Sequence, residues 1–287
     1  MMKKAIYCAE PCEASSAARV ALRKLLKDGV EKVLFVFDFD HTLSSSDSAQ
    51  CHDHLALVDD DIVKREMAQY LDFKNGGHPS LRGKELSAWW FQVHDLLVDR
   101  KLTRVQLSSA LKQTKIALRP RAKEAIEMTL TLSIPLTVVS AGLEHVIDGV
   151  MPFRTCSLDD ECVLSDQKNT VHLVANRLLF KDDVAFSVRP DPPVTAANKS
   201  SIYARLRPFF DEVHGRGRTK VLLVGDSVGD VRAVENIPKT DLLTIGFFNP
   251  ENPWSKRDAF DATFDILLPH TASFSWLEAE LQEHLRN

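Results

Sequence analysis

Residues 33–43 read VLFVFDFDHTL, an apolar run that leads into two aspartates one residue apart. Its first part is apolar and rich in valine and phenylalanine and runs directly into two aspartates, as in a strand buried on both faces that reaches solvent at its carboxyl end. In an extended segment, Asp38 and Asp40 share one face while Phe37 and Phe39 turn to the core. Two close carboxylates repel each other unless a cation joins them or one holds a proton. The stretch therefore predicts a catalytic site. The alternative is an exposed strand end with two solvated aspartates.

The composition restricts the class of protein. A chain of 287 residues is long for one compact core, which favours one domain with a substantial insertion. Its 36 Lys and Arg residues against 40 Asp and Glu residues give a net charge of -4, and no long basic run occurs. No apolar run approaches the roughly 18 residues of a spanning helix, and residues 1–13 lack a signal-like core. We expect a cytoplasmic protein, a monomer or weak dimer, without nucleic-acid or membrane partners.

The cysteines predict neither a disulfide framework nor a zinc site. The chain has 5 cysteines, an odd number that is scattered over its length, and this favours reduced thiols. Residues 51–54 read CHDH, but adjacent residues rarely converge on one tetrahedral ion and no second ligand pair follows at zinc-finger spacing. We expect no metal at these four positions.

Strand and helix patterns alternate on both sides of a central helical block. The block covers residues 44–118, with helices at 58–71 and 84–99 and a third that begins with the capping box from Thr103 to Gln106; Arg119, before a proline, closes it. The other predicted helices cover 14–27, 120–131, 200–213 with a break at Pro208, 227–235 and 274–285, and the predicted strands cover 33–37, 135–142, 171–176, 184–188, 220–226, 242–248 and 264–268. This pattern predicts an α/β fold with a Rossmann-like parallel sheet core and helices on both faces, formed by 1–46 and 119–287, and an all-helical cap at 47–118.

Functional-looking side chains stand where the predicted strands end. Ligands of such sheets bind outside the carboxyl ends of the strands, where Asp38, Ser140 and Asp226 would lie. With Asp40 and Asp230, this edge collects negative charge. A hard divalent cation with oxygen ligands, Mg²⁺ beside a phosphate, and one lysine would offset it.

The same residues match, in order, the four motifs of a known superfamily. Residues 38–42 read DFDHT, Ser140 and Lys199 follow at later positions, and residues 225–230 read GDSVGD. The chain therefore resembles the haloacid dehalogenase superfamily of phosphohydrolases over its whole length apart from the insertion and the amino terminus. The resemblance implies Mg²⁺ bound by Asp38, Asp226 and the main-chain carbonyl of Asp40.

The resemblance also implies a role for each motif residue. Asp38 would attack phosphorus and form an aspartyl-phosphate, and Asp40 would act as general acid and then as general base. The phosphoryl oxygens would be held by four further groups: the Thr42 and Ser140 hydroxyls, the Ala141 main-chain N–H and Lys199. Asp230 would orient waters or Lys199. The alternatives are a turn residue for Ser140, a solvated lysine for Lys199 and a charge at a helix N-terminus for Asp230.

Finer features resemble the cytosolic pyrimidine 5′-nucleotidases of type III. They are residues 38–44, 139–147, 198–199, 225–232 and 245–249, with Asn176 and the pair Cys51-His52. This resemblance implies release of phosphate from nucleoside 5′-monophosphates such as UMP and CMP beneath a helical cap.

The cap departs from that pattern. Only Asp72 is acidic where the family has its base-reading acid, and Val93 replaces the serine before His94. Trp89, Trp90 and Phe91 either stack on a base or fill the core of the cap, and His52 and His94 are expected to be structural. The open alternatives are a phosphatase of another small phosphomonoester, such as a phosphoserine-like compound or a sugar phosphate, and a non-catalytic binding protein.

Overall fold

The computed structural model describes residues 6–7, 11–53, 84–113, 115–157, 170–196, 198–252 and 255–286. The helices are α1 (Pro11–Leu26), α2 (Lys84–Asp99), α3 (Arg104–Gln113), α4 (Ala122–Thr131), α5 (Glu144–Val150), α6 (Lys199–Gly215), α7 (Arg257–Thr263) and α8 (Ser275–Arg286). The strands are β1 (Ile6–Tyr7), β2 (Val33–Phe37), β3 (Leu136–Leu143), β4 (Arg154–Ser157), β5 (Thr170–Lys181), β6 (Val184–Arg189), β7 (Lys220–Gly225), β8 (Leu242–Phe248) and β9 (Ile266–Pro269). Among these helices, none is long and apolar enough to cross a bilayer. The predicted helix at 58–71 lies outside the described residues.

The strands form one sheet with β2 in its interior. The order is β1-β9-β8-β7-β2-β3-β5-β4, and these neighbours pair in parallel. Strand β2 pairs with β7 on one side and β3 on the other. The carboxyl ends of β7, β2 and β3 therefore stand next to one another.

Side chains of β2 alternate between two cores. Val33, Phe35 and Phe37 join the cluster that contains α1, α4 and α8, whereas Leu34 and Val36 join the cluster that contains α6 and α7. All five are at most 1% exposed, and burial of each such side chain contributes about 1.5 to 3 kcal/mol. The prediction of a parallel sheet with helices on both faces is confirmed.

The second half of β5 leaves the parallel sheet. Beyond Asn176 it pairs in antiparallel fashion with β6, through a turn in which Asp182 and Asp183 both have positive φ. Strand β5 is therefore longer than the predicted 171–176, because pairing with β6 continues it after its parallel partners end. The short edge strands β1 and β4 were not predicted.

Two local expectations were wrong. Helix α6 continues through Pro208 instead of breaking there, because Leu206, Phe209 and Phe210 are buried in the second core and hold the helix on the sheet. The expectation of reduced thiols fails at Cys156, which is disulfide-bonded, whereas Cys51 is a buried thiol that forms no disulfide. Residue counting could not decide this because an odd total leaves pairs possible.

The two ends of the central block run side by side. Ser44 forms an antiparallel bridge with Leu118, and Ser45 N–H donates to the Ala117 carbonyl at 2.8 Å. Within the block, Thr103 and Gln106 form the predicted capping box, with reciprocal bonds of 2.9 and 3.2 Å. This geometry is compatible with an inserted unit at 47–118, and the division into core and cap stays a prediction.

Candidate active site

The site is built where β2 ends. The Asp38 N–H still bonds to the Val224 carbonyl of β7 at 3.0 Å, so the nucleophile candidate is fixed to the last rung of the sheet. Residues 39–43 then form a tight loop closed by a bond from Ser44 N–H to the Phe39 carbonyl. The backbone at Asp38 and Asp40 is still extended, with φ, ψ of -78°, 165° and -65°, 124°, and Phe37 and Phe39 are buried in one core as predicted. The chain turns at His41, which adopts a φ of 58°.

Lys199 lies between two aspartates. Its Nζ donates to Asp38 Oδ1 and Asp230 Oδ1, both at 2.6 Å, and to the Val139 carbonyl at 3.2 Å. Asp230 Oδ2 accepts the Ser227 N–H at 2.9 Å, so both oxygens of this carboxylate are held. Burial alone would lower the pKa of Lys199, but the Asp230 and Asp38 carboxylates raise it above its usual value. The lysine is thus a permanent buried cation, and not a solvated helix-start residue.

The carboxylates outnumber this one cation. Asp38, Asp226 and Asp230 each place an oxygen within 4.8 Å of the others. Burial raises the pKa of Asp38 to about 7, with Lys199 opposing and Asp230 adding to the rise. Burial and then the charges of Asp38 and Asp230 raise the pKa of Asp226 well above its usual value. An all-oxygen donor set with uncompensated negative charge fits a hard divalent cation such as Mg²⁺.

The loop after Asp38 presents two further polar groups. Asp40 Oδ1 accepts the Cys51 N–H at 2.8 Å, which fixes the carboxylate. Thr42 is fully buried and its Oγ1 has no hydrogen-bond partner among the described residues. A buried hydroxyl without a partner is costly in a folded protein, so Thr42 Oγ1 is suited to a ligand oxygen.

Strand β3 changes register at its end and thereby presents Ser140. The pairing with β5 shifts between Val139 and Leu143, as at a β-bulge that redirects a side chain. Ser140 Oγ accepts the Gly142 N–H at 2.9 Å, so the hydroxyl proton is left to donate elsewhere. A Cβ at Gly142 would lie 2.7 Å from that of Cys51. Glycine here lets the second motif approach the segment that holds Asp40.

The side-chain amides of two asparagines support the loop before Lys199. Asn176 accepts the Val194 N–H at 2.7 Å and donates to the carbonyls of Ala141 and Val194, both at 2.8 Å. Asn198 Oδ1 accepts the Thr195 N–H at 2.7 Å. The sequence suggested Asn176 only through family resemblance, and the role of Thr195 was missed. The polar Asn176 at the end of the mainly apolar run 171–176 is the signal that could have indicated this contact.

Little of the predicted base-reading surface falls within the described side chains. His52 and His94 are both 1% exposed, and their Nε2 atoms lie 3.3 Å apart. Val93 is fully buried. Asp72 and the side chains of Trp89 and Trp90 lie outside the described part, so their contacts with a base stay predictions.

The parallel sheet, its two helical layers and the charged edge define a haloacid dehalogenase-type fold. The solved structure of cytosolic 5′-nucleotidase IIIB bound to cytidine superposes with a TM-score of 0.72 at 21% identity, covering 95% of this chain and 93% of that chain. This likeness establishes the fold.

The family model described as pyrimidine 5′-nucleotidase (UMPH-1) matches residues 67–283. The chain therefore belongs to this family of phosphoric monoester hydrolases. It is 26% identical over 273 residues to a putative cytosolic 5′-nucleotidase 3 of Caenorhabditis elegans, covering 89% of this chain and 70% of the relative. It is 23% identical over 275 residues to the 7-methylguanosine phosphate-specific 5′-nucleotidase of Homo sapiens, covering 91% and 87%.

Proposed function

We propose that the protein is a Mg²⁺-dependent phosphatase that releases phosphate from nucleoside 5′-monophosphates through an aspartyl-phosphate. The observation that carries this proposal is the buried Lys199 ammonium, 2.6 Å from both Asp38 and Asp230, at the edge where Asp226 completes an acidic cluster. A preorganised cation beside a carboxylate suits a phosphoryl group under attack. Family membership supports a nucleotide as the substrate class.

Asp38 is the proposed nucleophile. Its carboxylate oxygen attacks in line, so a bond to phosphorus forms while the bond from phosphorus to the 5′ oxygen breaks. Asp40 donates a proton to that leaving oxygen, and the nucleoside departs. Water then attacks the phosphorus, Asp40 takes a proton from the water, and inorganic phosphate leaves Asp38.

Neutral and charged donors hold the phosphoryl oxygens. Thr42 Oγ1 is buried without a partner, and Ser140 keeps its proton to donate because its oxygen already accepts a bond. Together with the Ala141 N–H and Lys199 they would surround the transferring group. Because these donors are held in place at the carboxyl edge of the sheet, the reaction requires less reorganisation.

The metal would be bound by the Asp38 and Asp226 carboxylates and the Asp40 main-chain carbonyl. When bound, Mg²⁺ supplies positive charge that offsets the phosphoryl oxygens. Asp230 positions Lys199 by accepting a hydrogen bond from its ammonium group. We place the reaction in a core formed by 1–46 and 119–287, beneath a helical cap at 47–118, in a cytoplasmic protein that is a monomer or weak dimer.

Two classes of base, the pyrimidines and 7-methylguanine, are candidates for the nucleotide. The family name and the cytidine-bound relative favour UMP and CMP. The human relative that is specific for 7-methylguanosine phosphate favours 7-methyl-GMP. The replacement of the family serine by Val93, which is fully buried, removes a polar group from the cap and supports testing both.

A substrate panel tests the proposal. Purified protein with Mg²⁺ is assayed for phosphate release from UMP, CMP, 7-methyl-GMP, phosphoserine, a sugar phosphate and p-nitrophenyl phosphate, with Asp38→Asn as the inactive control. We expect a nucleoside monophosphate to have the highest kcat/KM. Hydrolysis of p-nitrophenyl phosphate without turnover of any nucleotide would reject the nucleotidase assignment.

A further inference from the structure

Arg119 is a buried arginine whose side chain bonds to main-chain carbonyls. It is 2% exposed, and its Nε donates to the Thr42 carbonyl at 2.8 Å. Its Nη1 donates to the carbonyls of Ala272, at 2.8 Å, and His270, and its Nη2 to that of His41. One guanidinium thus joins the loop after Asp38 to the turn between β9 and α8.

The face of the guanidinium is occupied as well as its edge. The Arg119 Cζ lies 3.8 Å from the centroid of the Phe247 ring, which is 1% exposed. This cation–π contact and the four carbonyls fix the plane of the group. The fork geometry of arginine makes this possible, whereas a lysine ammonium cannot reach the same acceptors in one plane.

The charge of Arg119 is not neutralised by an ion pair. In the described part of the chain, no carboxylate lies within ion-pair distance of the guanidinium, and burial lowers its pKa to about 10 against the charges of Asp226 and Asp47. A buried charge without a direct partner is an expensive way to stabilise a fold. Its location beside the acidic edge points to a role in the site.

Arg119 also stands at the end of the central helical block. Its N–H donates to the Leu43 carbonyl at 2.8 Å, directly after the bridge between Ser44 and Leu118. Main chain and side chain of one residue therefore hold three successive carbonyls, those of His41, Thr42 and Leu43. These residues follow Asp40 and include Thr42, whose hydroxyl has no partner in the described structure.

We propose that Arg119 is a positioning residue for the reaction, which clamps the 39–43 loop to the β9–α8 turn so that Asp40 and Thr42 stand correctly against Asp38. This inference rests on the proposed phosphatase function. Arg119 would align the general acid/base Asp40 and the hydroxyl of Thr42 without contacting the substrate or the metal. Loss of the clamp should lower kcat more than it raises KM, because Asp38 keeps its main-chain bond to the Val224 carbonyl and Lys199 keeps its bond to the Val139 carbonyl.

The test compares Arg119→Lys with Arg218→Lys. Arg218 is the matched control because its guanidinium also donates to main-chain carbonyls, of Val30, Val33 and Ser133 at 2.7 to 3.0 Å, but at the amino end of the sheet. We expect Arg119→Lys to lower kcat by about 10²-fold, the effect of a misplacement of about 1 Å, with KM changed less than threefold. Arg218→Lys should leave kcat of the folded protein unchanged.

Amide hydrogen exchange of the metal-free proteins gives a readout that does not depend on activity. Exchange over residues 39–44 should accelerate in Arg119→Lys and stay as in the wild type in Arg218→Lys. The exchange measurement separates failure of the proposed function from failure of the role of Arg119. If the wild type hydrolyses no phosphomonoester, the proposed function is wrong. The exchange rates still decide whether Arg119 orders the loop.

A milder pair covers the case in which Arg119→Lys does not fold. Phe247→Leu removes the ring beneath Arg119. Phe248→Leu is the control, because Phe248 is the next residue of β8 and its ring centroid lies 5.5 Å from Cζ of the half-exposed Arg257 in α7. We expect about a tenfold lower kcat and faster loop exchange for Phe247→Leu only. Equal kcat and equal exchange within either matched pair would overturn the proposal.

Discussion

Replacing Gly225 with alanine should slow turnover by displacing Asp230. A Cβ at position 225 would lie 2.7 Å from Asp230 Cβ and 2.8 Å from its Cγ, and closer still to Oδ2. The aspartate has to retreat by roughly 1 Å to reach ordinary van der Waals separation. Its bond to Lys199, now 2.6 Å, would then stretch beyond hydrogen-bond distance. The lysine would keep Asp38 as its carboxylate partner.

The size of the effect follows from that displacement. A catalytic group misplaced by about 1 Å costs about 10²-fold in rate, and overpacking of this kind lowers the free energy of unfolding by about 1 to 3 kcal/mol. We therefore expect Gly225→Ala to fold and to lose about 10²-fold in kcat. Initial rates of phosphate release at saturating substrate, with thermal unfolding of the same samples, measure both quantities.

Gly215→Ala is the matched control, because no described atom outside its chain neighbours and its own helix backbone lies within 4 Å of a Cβ built there. It should retain wild-type kcat. A second comparison isolates the route: in an Asp230→Ala background, Gly225→Ala should add little, because the group that it displaces is already absent. If Gly225→Ala keeps kcat within threefold of Gly215→Ala, or if the two losses multiply in full, the contact between Gly225 and Asp230 does not position Lys199.

Three other outcomes are expected. Asp38→Asn should abolish turnover and Asp40→Asn should lower kcat by about 10² to 10⁴-fold; a rate for Asp38→Asn within tenfold of wild type contradicts the covalent route. EDTA should abolish activity and Mg²⁺ should restore it, and activity that survives chelation excludes the metal role. His172 is fully buried, its ring nitrogens lack partners in the described structure, and burial lowers its pKa to about 4 from 6.5. As the pH falls from 6.5 towards 4, the unfolded chain therefore binds this proton before the folded chain does, and the wild type loses stability. His172→Leu lacks the titrating ring, so it should lose about 3 kcal/mol less than the wild type over that window. Identical urea titrations of mutant and wild type at pH 4.5 would refute this.

The sheet and the charged edge could be predicted because their signals are local. The run from Val33 to Phe37 is apolar at every position, which marks an interior strand, and the observed bounds are the predicted ones. Asp38, Ser140 and Asp226 follow the rule that ligands bind at the carboxyl ends of parallel strands. Neighbouring residues and strand order are enough for such an inference.

The supporting contacts could not be predicted because they join distant residues. Before a proline, Arg119 indicated only the end of a helical block, whereas its acceptors include the carbonyl of Ala272. Any residue type has a main-chain carbonyl, so the identity of residue 272 does not indicate that it accepts a bond from Arg119. The continuation of α6 through Pro208 is similar, because its cause is burial of neighbouring side chains against the sheet.

The groups of the proposed reaction are held by two different parts of the protein, the sheet and the central block. Asp38 is held by the sheet through the Val224 carbonyl, and Lys199 is anchored on the Val139 carbonyl of the next strand. Asp40, by contrast, is held by the Cys51 N–H from the beginning of the central block, and its loop is held by Arg119 from the end of that block. A shift of the block relative to the sheet would thus move the acid/base while leaving the nucleophile in place. Proton transfer, and not formation of the phosphoryl bond, is the step that should respond to such a shift.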